Sequence, residues 1–113
     1  MSDNCLFCKI VKGKIPADKL YEDEEMLAFR DISPQAPVHF LVIPKKHING
    51  PAEVTEDDDR LMGKIMRISG ELAKKEGIEH FRVVLNNGEE AGQTVFHLHA
   101  HILGGRNMLW PPG

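Results

Sequence analysis

The segment from His97 to His101 constrains the fold more than any other part of the chain, because it places three histidines at alternate positions. Alternate side chains lie on the same face of a β-strand, whereas a helix distributes them around its axis. The intervening Leu98 and Ala100 are apolar, and Ile102 continues that apolar face. The run therefore predicts a strand that is buried on one face and lined with imidazole nitrogens on the other.

Length and charge limit the kinds of protein that this chain can be. Its 113 residues, 42% of them hydrophobic, suit a single domain over residues 1–113. A net charge of -3 argues against a broad basic surface for nucleic acid. No stretch approaches the roughly 18 apolar residues of a membrane span, so we expect a cytoplasmic protein with no membrane partner. The two cysteines are too few for a disulfide framework.

Hydrophobic patterns elsewhere predict four further strands and one long helix. The strands fall within residues 20–31, where two flank an acidic turn, and at residues 38–43 and 81–85. Thr55 is the predicted N-cap of the helix, which ends near Gly77, and residues 86–94 form a polar loop. This order predicts an α+β fold with an antiparallel sheet and the helix covering one face.

The imidazole row permits two kinds of site. His-x-His on a strand can hold zinc with a third ligand. Alternatively, Gly92 and Gly88 in the preceding loop can expose backbone N–H groups to a phosphate while a histidine attacks phosphorus. An ordinary imidazole pKa of about 6.5 leaves most of the side chain neutral and nucleophilic at pH 7. A third reading, three surface histidines with no function, fits the alternation poorly.

Residues 86–103 resemble the histidine triad (HIT) superfamily. Its pattern is three histidines separated by single hydrophobic residues and followed by two more hydrophobic residues, and this sequence matches it with Ala100 as a small apolar member. The resemblance extends to residues 31–47, and residues 104–113 resemble the tail of the Hint branch. It implies an antiparallel sheet of about five strands, one long helix and a short N-terminal helix. It also implies a homodimer that hydrolyses the P–N bond of purine nucleoside 5'-phosphoramidates, and by extension aminoacyl-adenylates.

The same resemblance assigns roles to the polar residues. It makes His99 the nucleophile that carries the nucleotidyl group covalently, before water releases AMP or GMP. His101 and His39 are the supporting imidazoles that orient the nucleophile or pass a proton to the leaving group, and the sequence does not distinguish these roles. Gln93 and Thr94 are expected to contact the phosphate and the leaving group.

Further positions match the family's nucleotide pocket. Asn86 falls on the phosphate side, and Asp31 is expected to accept the ribose hydroxyls, although its position also suits a simple turn residue. Trp110 is expected to reach the partner subunit's site, with anchoring on its own subunit as the alternative. The purine slot is matched by four apolar residues, which composition alone assigns to the core: Phe7, Ile10, Phe29 and Ile32.

Cys5 and Cys8 have the Cys-x-x-Cys spacing of a zinc site. A redox role is less favoured, because no βαβ unit surrounds the pair. His47 and His97 can complete a closed Cys2His2 tetrahedron, and some members of the family carry zinc on matching ligands. We therefore expect a structural zinc ion and no catalytic cofactor.

Three alternative functions remain compatible with these residues. A dinucleoside polyphosphate hydrolase or a nucleotidyl transferase would use the same nucleophile on a different leaving group. A zinc-stabilised nucleotide-binding or scaffold protein would use the imidazole row without catalysis. A zinc hydrolase would use the row itself as metal ligands.

Overall fold

The computed structural model describes residues 4–113. It contains two helices, α1 (Leu6–Val11) and α2 (Asp59–Lys75), and five strands, β1 (Lys19–Glu22), β2 (Met26–Arg30), β3 (Val38–Pro44), β4 (Phe81–Val84) and β5 (Ala100–Gly104). Neither helix in this part of the chain combines the length and the apolar character needed to cross a membrane.

The five strands form one antiparallel sheet in the order β1-β2-β3-β5-β4. Neighbours in sequence pair first, and β5 then inserts between β3 and β4. The sheet, the long helix and the short N-terminal helix confirm the predicted α+β fold.

The start of α2 shows why its sequence forms a helix there. Thr55, the predicted N-cap, forms a capping box with Asp58, but the residues between them make a 3-10 turn, so the α-helix itself begins at Asp59. The apolar positions of α2 face the sheet, and Gly77 ends the segment at a positive φ of 78°.

Each face of the sheet carries its own apolar cluster, because side chains alternate along each strand. Phe40 and Val42 of β3 face α2 and belong to the larger cluster. Leu41 and Ile43 face α1 and pack with Phe7 in the smaller cluster. The histidines share this second face, so α1 and the polar site lie on the same side of the sheet.

The histidine run begins before the paired strand rather than lying within it, which corrects the predicted boundary. In the β3–β5 register, Val42 pairs with Ala100. If the pairing continued by two residues on each strand, Leu98 would lie opposite Pro44. Proline has no N–H to donate to a ladder. The Leu98 N–H instead donates to the Ile48 carbonyl at 2.6 Å. Alternation nevertheless persists through this extended segment.

Candidate active site and metal centre

Three histidine rings meet on the α1 face of the sheet. His39 comes from β3, and His99 and His101 come from the segment that enters β5. The centroids of His99 and His101 are 4.8 Å apart, and those of His39 and His101 are 5.2 Å apart. Phe7 of α1 packs edge-on against the His99 ring, with the ring centroids 5.0 Å apart, so an apolar side chain lies directly beside this imidazole.

A main-chain carbonyl fixes the tautomer of His99. Its Nδ1 lies 2.7 Å from the carbonyl oxygen of His97, and because a carbonyl only accepts, Nδ1 carries the hydrogen. Nε2 of the neutral ring therefore keeps its lone pair. Burial lowers the pKa of His99 below its ordinary value, so the ring is neutral at pH 7. This imidazole has the protonation state that a nucleophile requires.

His39 and His101 form an ordered hydrogen-bonded pair. The Gln35 N–H donates to His39 Nδ1 at 3.0 Å, so His39 carries its hydrogen on Nε2 and donates it to His101 Nδ1, also at 3.0 Å. Asp31 Oδ2 lies 3.5 Å from the same Nε2. Burial, followed by the charges of His99 and His39, lowers the pKa of His101 to about 4. Neutral His101 therefore bears its hydrogen on Nε2.

The ligand atoms of Asp31, His39 and His101 lie within 4.8 Å of one another, so we tested whether they fit a metal ion. A metal-binding imidazole nitrogen must present a lone pair, with the other ring nitrogen donating to an acceptor. Nδ1 of His39 instead accepts from a backbone N–H, which leaves a hydrogen on the nitrogen that faces the cluster. These residues do not fit a catalytic metal.

A second cluster brings together all four residues predicted to bind zinc. The ligand atoms of Cys5, Cys8, His47 and His97 lie within 4.8 Å of one another. The Cys8 Sγ is 3.3 Å from His47 Nδ1 and 3.4 Å from His97 Nδ1. Tetrahedral zinc, with bonds of about 2.3 Å to sulfur and about 2.0 Å to nitrogen, separates such atoms by roughly 3.6 Å. The spacing is close to that of a metal tetrahedron.

The hydrogen bonds around this cluster also suit a metal. His97 Nε2 donates to the Pro44 carbonyl at 2.7 Å, and His47 Nε2 lies 2.8 Å from Asn49 Oδ1. Both rings therefore direct an Nδ1 lone pair toward the thiols. Burial and the adjacent Cys5 raise the pKa of the Cys8 thiol to about 11, so a metal that binds here must displace thiol protons.

Gln93 is buried, and its side chain bonds to the protein backbone. Its Oε1 accepts from the Gly88 N–H at 2.8 Å, and its Nε2 donates to the carbonyls of Asn49 and Val95 at 2.6 and 3.2 Å. The amide thus ties the polar loop to the segment after β3. Direct contact with a phosphate, as the resemblance implies, would require one of these bonds to open.

Asn86 and Thr94, the other two residues expected near the phosphate, belong to the same loop. Thr94 is exposed and Asn86 is half-buried. Gly88 and Gly92 adopt positive φ values of 94° and 95°, which glycine tolerates, and they turn the loop back toward the histidine segment. The loop is therefore a tight, glycine-dependent turn held by Gln93.

The structure brings together three of the four residues expected in the purine slot. Phe7, Ile10 and Phe29 are buried in the α1 cluster, with the two phenyl rings 5.4 Å apart. Ile32 is 99% exposed and lies outside this cluster. Asp31 is close by, where its Oδ1 also accepts from a backbone N–H in its own turn.

Trp110 lies on the surface near the C-terminus. It is 82% exposed, and its ring is 6.0 Å from the guanidinium carbon of Arg82. Its own domain thus leaves most of the indole uncovered.

Sequence patterns did not reveal the groups that orient the histidines, because most of these are backbone atoms. The Gln35 N–H and the carbonyls of Pro44 and His97 fix the three tautomers described above. Arg106, whose guanidinium donates to the Gln35 carbonyl, was also missed. In the sequence, the glycine at position 105 is a signal that could have indicated a close backbone approach there.

The fold and this face define a small α+β domain with a histidine site beside a Cys2His2 cluster. The model of the HIT domain family matches residues 12–108. Uncharacterized HIT-like proteins of Synechococcus elongatus and Synechocystis are 50% and 51% identical over 114 residues, with both chains covered in full. The chain belongs to the HIT domain family.

Solved structures agree with this assignment. The HIT family hydrolase of Legionella pneumophila shares 52% identity and a TM-score of 0.95, over 97% of this chain and 100% of that one. The HIT family hydrolase of Clostridium thermocellum shares 45% identity and a TM-score of 0.92, over 95% of each chain. A histidine triad protein of Clostridium difficile shares 42% identity and a TM-score of 0.90, over 94% of each chain.

Proposed function

We propose that this protein hydrolyses the P–N bond of purine nucleoside 5'-phosphoramidates through a nucleotidyl intermediate on His99. The observation that carries the proposal is the hydrogen bond from His99 Nδ1 to the His97 carbonyl, which leaves a lone pair on Nε2 of a neutral, buried ring. Two similar proteins of known structure are named HIT family hydrolases, which supports the reaction class.

In the first step, His99 Nε2 bonds to phosphorus while the P–N bond breaks. The bonding electrons leave with the nitrogen, which takes up one proton from solvent. Nδ1 keeps its hydrogen, so the nucleotidyl imidazole is positively charged and its N–H points at a carbonyl dipole. Water then attacks phosphorus, the Nε2–P electrons return to the ring, and one proton goes back to solvent.

The surrounding residues supply recognition in this proposal. The Nε2–H of His101 donates a hydrogen bond to the transferred phosphoryl group, and His39 holds that ring in place. Asp31 accepts the ribose hydroxyls, and Asn86 and Thr94 contact the phosphate side. The cluster of Phe7, Ile10 and Phe29 receives the purine of AMP or GMP by exclusion of water.

The decisive experiment is to trap the intermediate. Reactions with adenosine 5'-phosphoramidate that are quenched in alkaline denaturant, which preserves the acid-labile P–N bond, should yield protein carrying one AMP on His99 by mass spectrometry, and His99→Ala should abolish AMP release. His80→Ala, at an exposed histidine outside the site, is the matched control. Full activity in a folded His99→Ala protein would disprove the mechanism. Preferential turnover of a diadenosine polyphosphate would reassign the leaving group.

We also propose that Cys5, Cys8, His47 and His97 hold a structural zinc ion. The support is the donor set itself, with two imidazole lone pairs directed at two thiols. A zinc ion there supplies a cross-link between α1 and the catalytic segment. His97 then serves as ligand through Nδ1 while its own carbonyl orients His99.

We further propose a homodimer formed through the β4 edge. β4 and β1 are the two edge strands, but β1 carries an ion pair between Lys19 and Glu22, whereas β4 exposes the apolar Phe81, and α2 exposes the apolar Met66. Light scattering should give twice the chain mass of 12.7 kDa. Phe81→Glu should yield monomer and Lys19→Glu should not. A monomeric wild type at micromolar concentration would refute the dimer.

A further inference from the structure

Outside the residues expected to touch substrate, a chain of hydrogen bonds connects the segment after β5 to the histidine pair. The guanidinium of Arg106 donates to the Gln35 carbonyl from Nε at 3.3 Å and from Nη2 at 3.1 Å. Its Nη1 donates to the Asn107 carbonyl at 3.0 Å, which holds the planar group in orientation. Two donors on one carbonyl fix the position of Gln35 more firmly than one would.

Gln35 carries the link onward through its other backbone group. Its N–H donates to His39 Nδ1 at 3.0 Å, and His39 Nε2 in turn donates to His101 Nδ1 at 3.0 Å. The hydrogen of neutral His101 is therefore directed away from the pair, on Nε2. The placement of one backbone N–H thus decides which nitrogen of two successive rings carries a hydrogen.

Backbone packing supports the same contact. Gly105 has a φ of 92°, and a Cβ at this position would lie 2.9 Å from Pro37 Cβ. The turn after β5 therefore approaches the loop of residues 31–37 as closely as a glycine allows. Arg106 reaches Gln35 from this close turn.

We propose that Arg106 is a positioning residue: it holds Gln35 so that His39 and His101 keep the tautomers in which His101 offers an N–H to the phosphoryl group. The use of that N–H rests on the proposed function, whereas the tautomers can be measured without any substrate. Asp31 lies on the Nε2 side of His39 and supports the same tautomer, so loss of Arg106 weakens the arrangement rather than reversing it.

Three variants test this proposal. Arg106→Ala should lower kcat about tenfold with little change in KM, because small displacements of catalytic groups are costly while nucleotide contacts remain. Arg67→Ala removes another exposed arginine, which pairs with Glu71 on the α2 side of the sheet, and it should leave kcat unchanged. Arg106→Lys, which retains charge without the two-donor geometry, should fall between them.

Gln35 offers a sharper pair of substitutions. Gln35→Pro removes the N–H that His39 accepts and should lower kcat more than Arg106→Ala, whereas Gln35→Ala keeps that N–H and should retain activity. If Gln35→Pro fails to fold, Arg106→Ala still decides the question.

Nitrogen-15 spectra of the histidine rings give a readout that a merely structural role would not change. Wild-type His39 should show an unprotonated Nδ1 and a protonated Nε2, and Arg106→Ala should show a mixture of tautomers. An unchanged His39 signal together with wild-type kcat would overturn the proposal. If the wild type turns over no phosphoramidate, the proposed function fails, and the spectra alone decide whether Arg106 sets the tautomer.

Discussion

At the scale of single residues, the site depends on which nitrogen of each imidazole carries a hydrogen. Hydrogen bonds to main-chain groups determine the protonated nitrogen in three rings, and the nitrogen that faces the cluster is protonated in one cluster and unprotonated in the other. His97 directs a lone pair toward two thiols, whereas His39 directs a hydrogen toward His101. The same side-chain type thus suits a metal in one place and phosphoryl chemistry a few ångströms away.

Cys8→Ser provides the corresponding prediction. Serine is a poor zinc ligand, so the variant should bind less than a tenth of the zinc and melt at least about 5 °C lower, since about 1 kcal/mol shifts Tm by about 4 °C or more in a domain of this size. Calorimetry and metal analysis of the purified proteins measure both effects.

Chelation supplies the control for this substitution. Metal-free wild type and metal-free Cys8→Ser should melt within about 2 °C of each other, because a serine hydroxyl can replace the hydrogen bond that the thiol makes to an imidazole nitrogen. Equal melting temperatures of the two metal-loaded proteins would contradict a structural metal.

The sequence identified the residues of this site better than their geometry. The spacings of cysteine and histidine indicated the Cys-x-x-Cys pair and the row from His97 to His101, whereas His39 was assigned by the family resemblance. The carbonyls of Pro44 and His97 could not be named in advance, because every residue has a carbonyl. Ile32 was grouped with the purine slot by resemblance, and only the structure shows its side chain in solvent.

At the scale of elements, the register of β5 determines how the histidines enter the sheet. Gly104 closes this strand opposite Val38 and Phe81. A Cβ at Gly104 would lie 2.6 Å from Ile78 Cδ1 and 3.2 Å from the His80 carbonyl, so the end of the strand is packed to its limit.

Two glycine substitutions test this packing. Gly104→Ala should lower the free energy of unfolding by about 1 to 3 kcal/mol, because it overfills a packed contact. Gly63→Ala, within α2 and with nothing within 4 Å of the added carbon, should raise it by about 0.5 to 1 kcal/mol. Urea unfolding monitored by circular dichroism measures both changes, and a shift of the same sign in the two variants would refute the argument.

Element types were predictable and element ends were not. Apolar periodicity fixed α2 and the five strands because burial on one face imposes it. The first turn of the helix is a 3-10 turn, and the pairing of β5 with β3 ends at Val42 and Ala100, because hydrogen bonding at an end depends on partners distant in sequence.

At the scale of the whole molecule, four histidines lie on one face of a small domain: His39, His97 and His99 are buried, and His101 is half-buried. Burial lowers the pKa of each, because a charged ring loses its water there. Folding therefore disfavours the protonated form of these four imidazoles.

This burial predicts acid sensitivity. In the unfolded chain, histidine takes up a proton below about pH 6.5, whereas His101 in the folded protein stays neutral down to about pH 4. The unfolded state thus binds more protons in this window, and the free energy of unfolding falls as the pH drops. Urea titrations at pH 7, 6 and 5 should show this decline.

Replacing His101 isolates its contribution. His101→Asn should reduce the slope of unfolding free energy against pH by up to about 1.4 kcal/mol per pH unit, the value for one proton. An identical slope in the variant and the wild type would show that this ring titrates alike in both states.

Helix α1 has only six residues, fewer than the roughly 12 that an isolated helix needs to persist in water. It nevertheless contributes Phe7 and Ile10 to the apolar slot and Cys8 to the thiol cluster, with Cys5 as its N-cap. Under the proposed function and zinc site, one short peptide therefore supplies two of the purine contacts and two of the four metal ligands. We expect a chimera that exchanges this peptide between relatives to change nucleobase preference and metal affinity together.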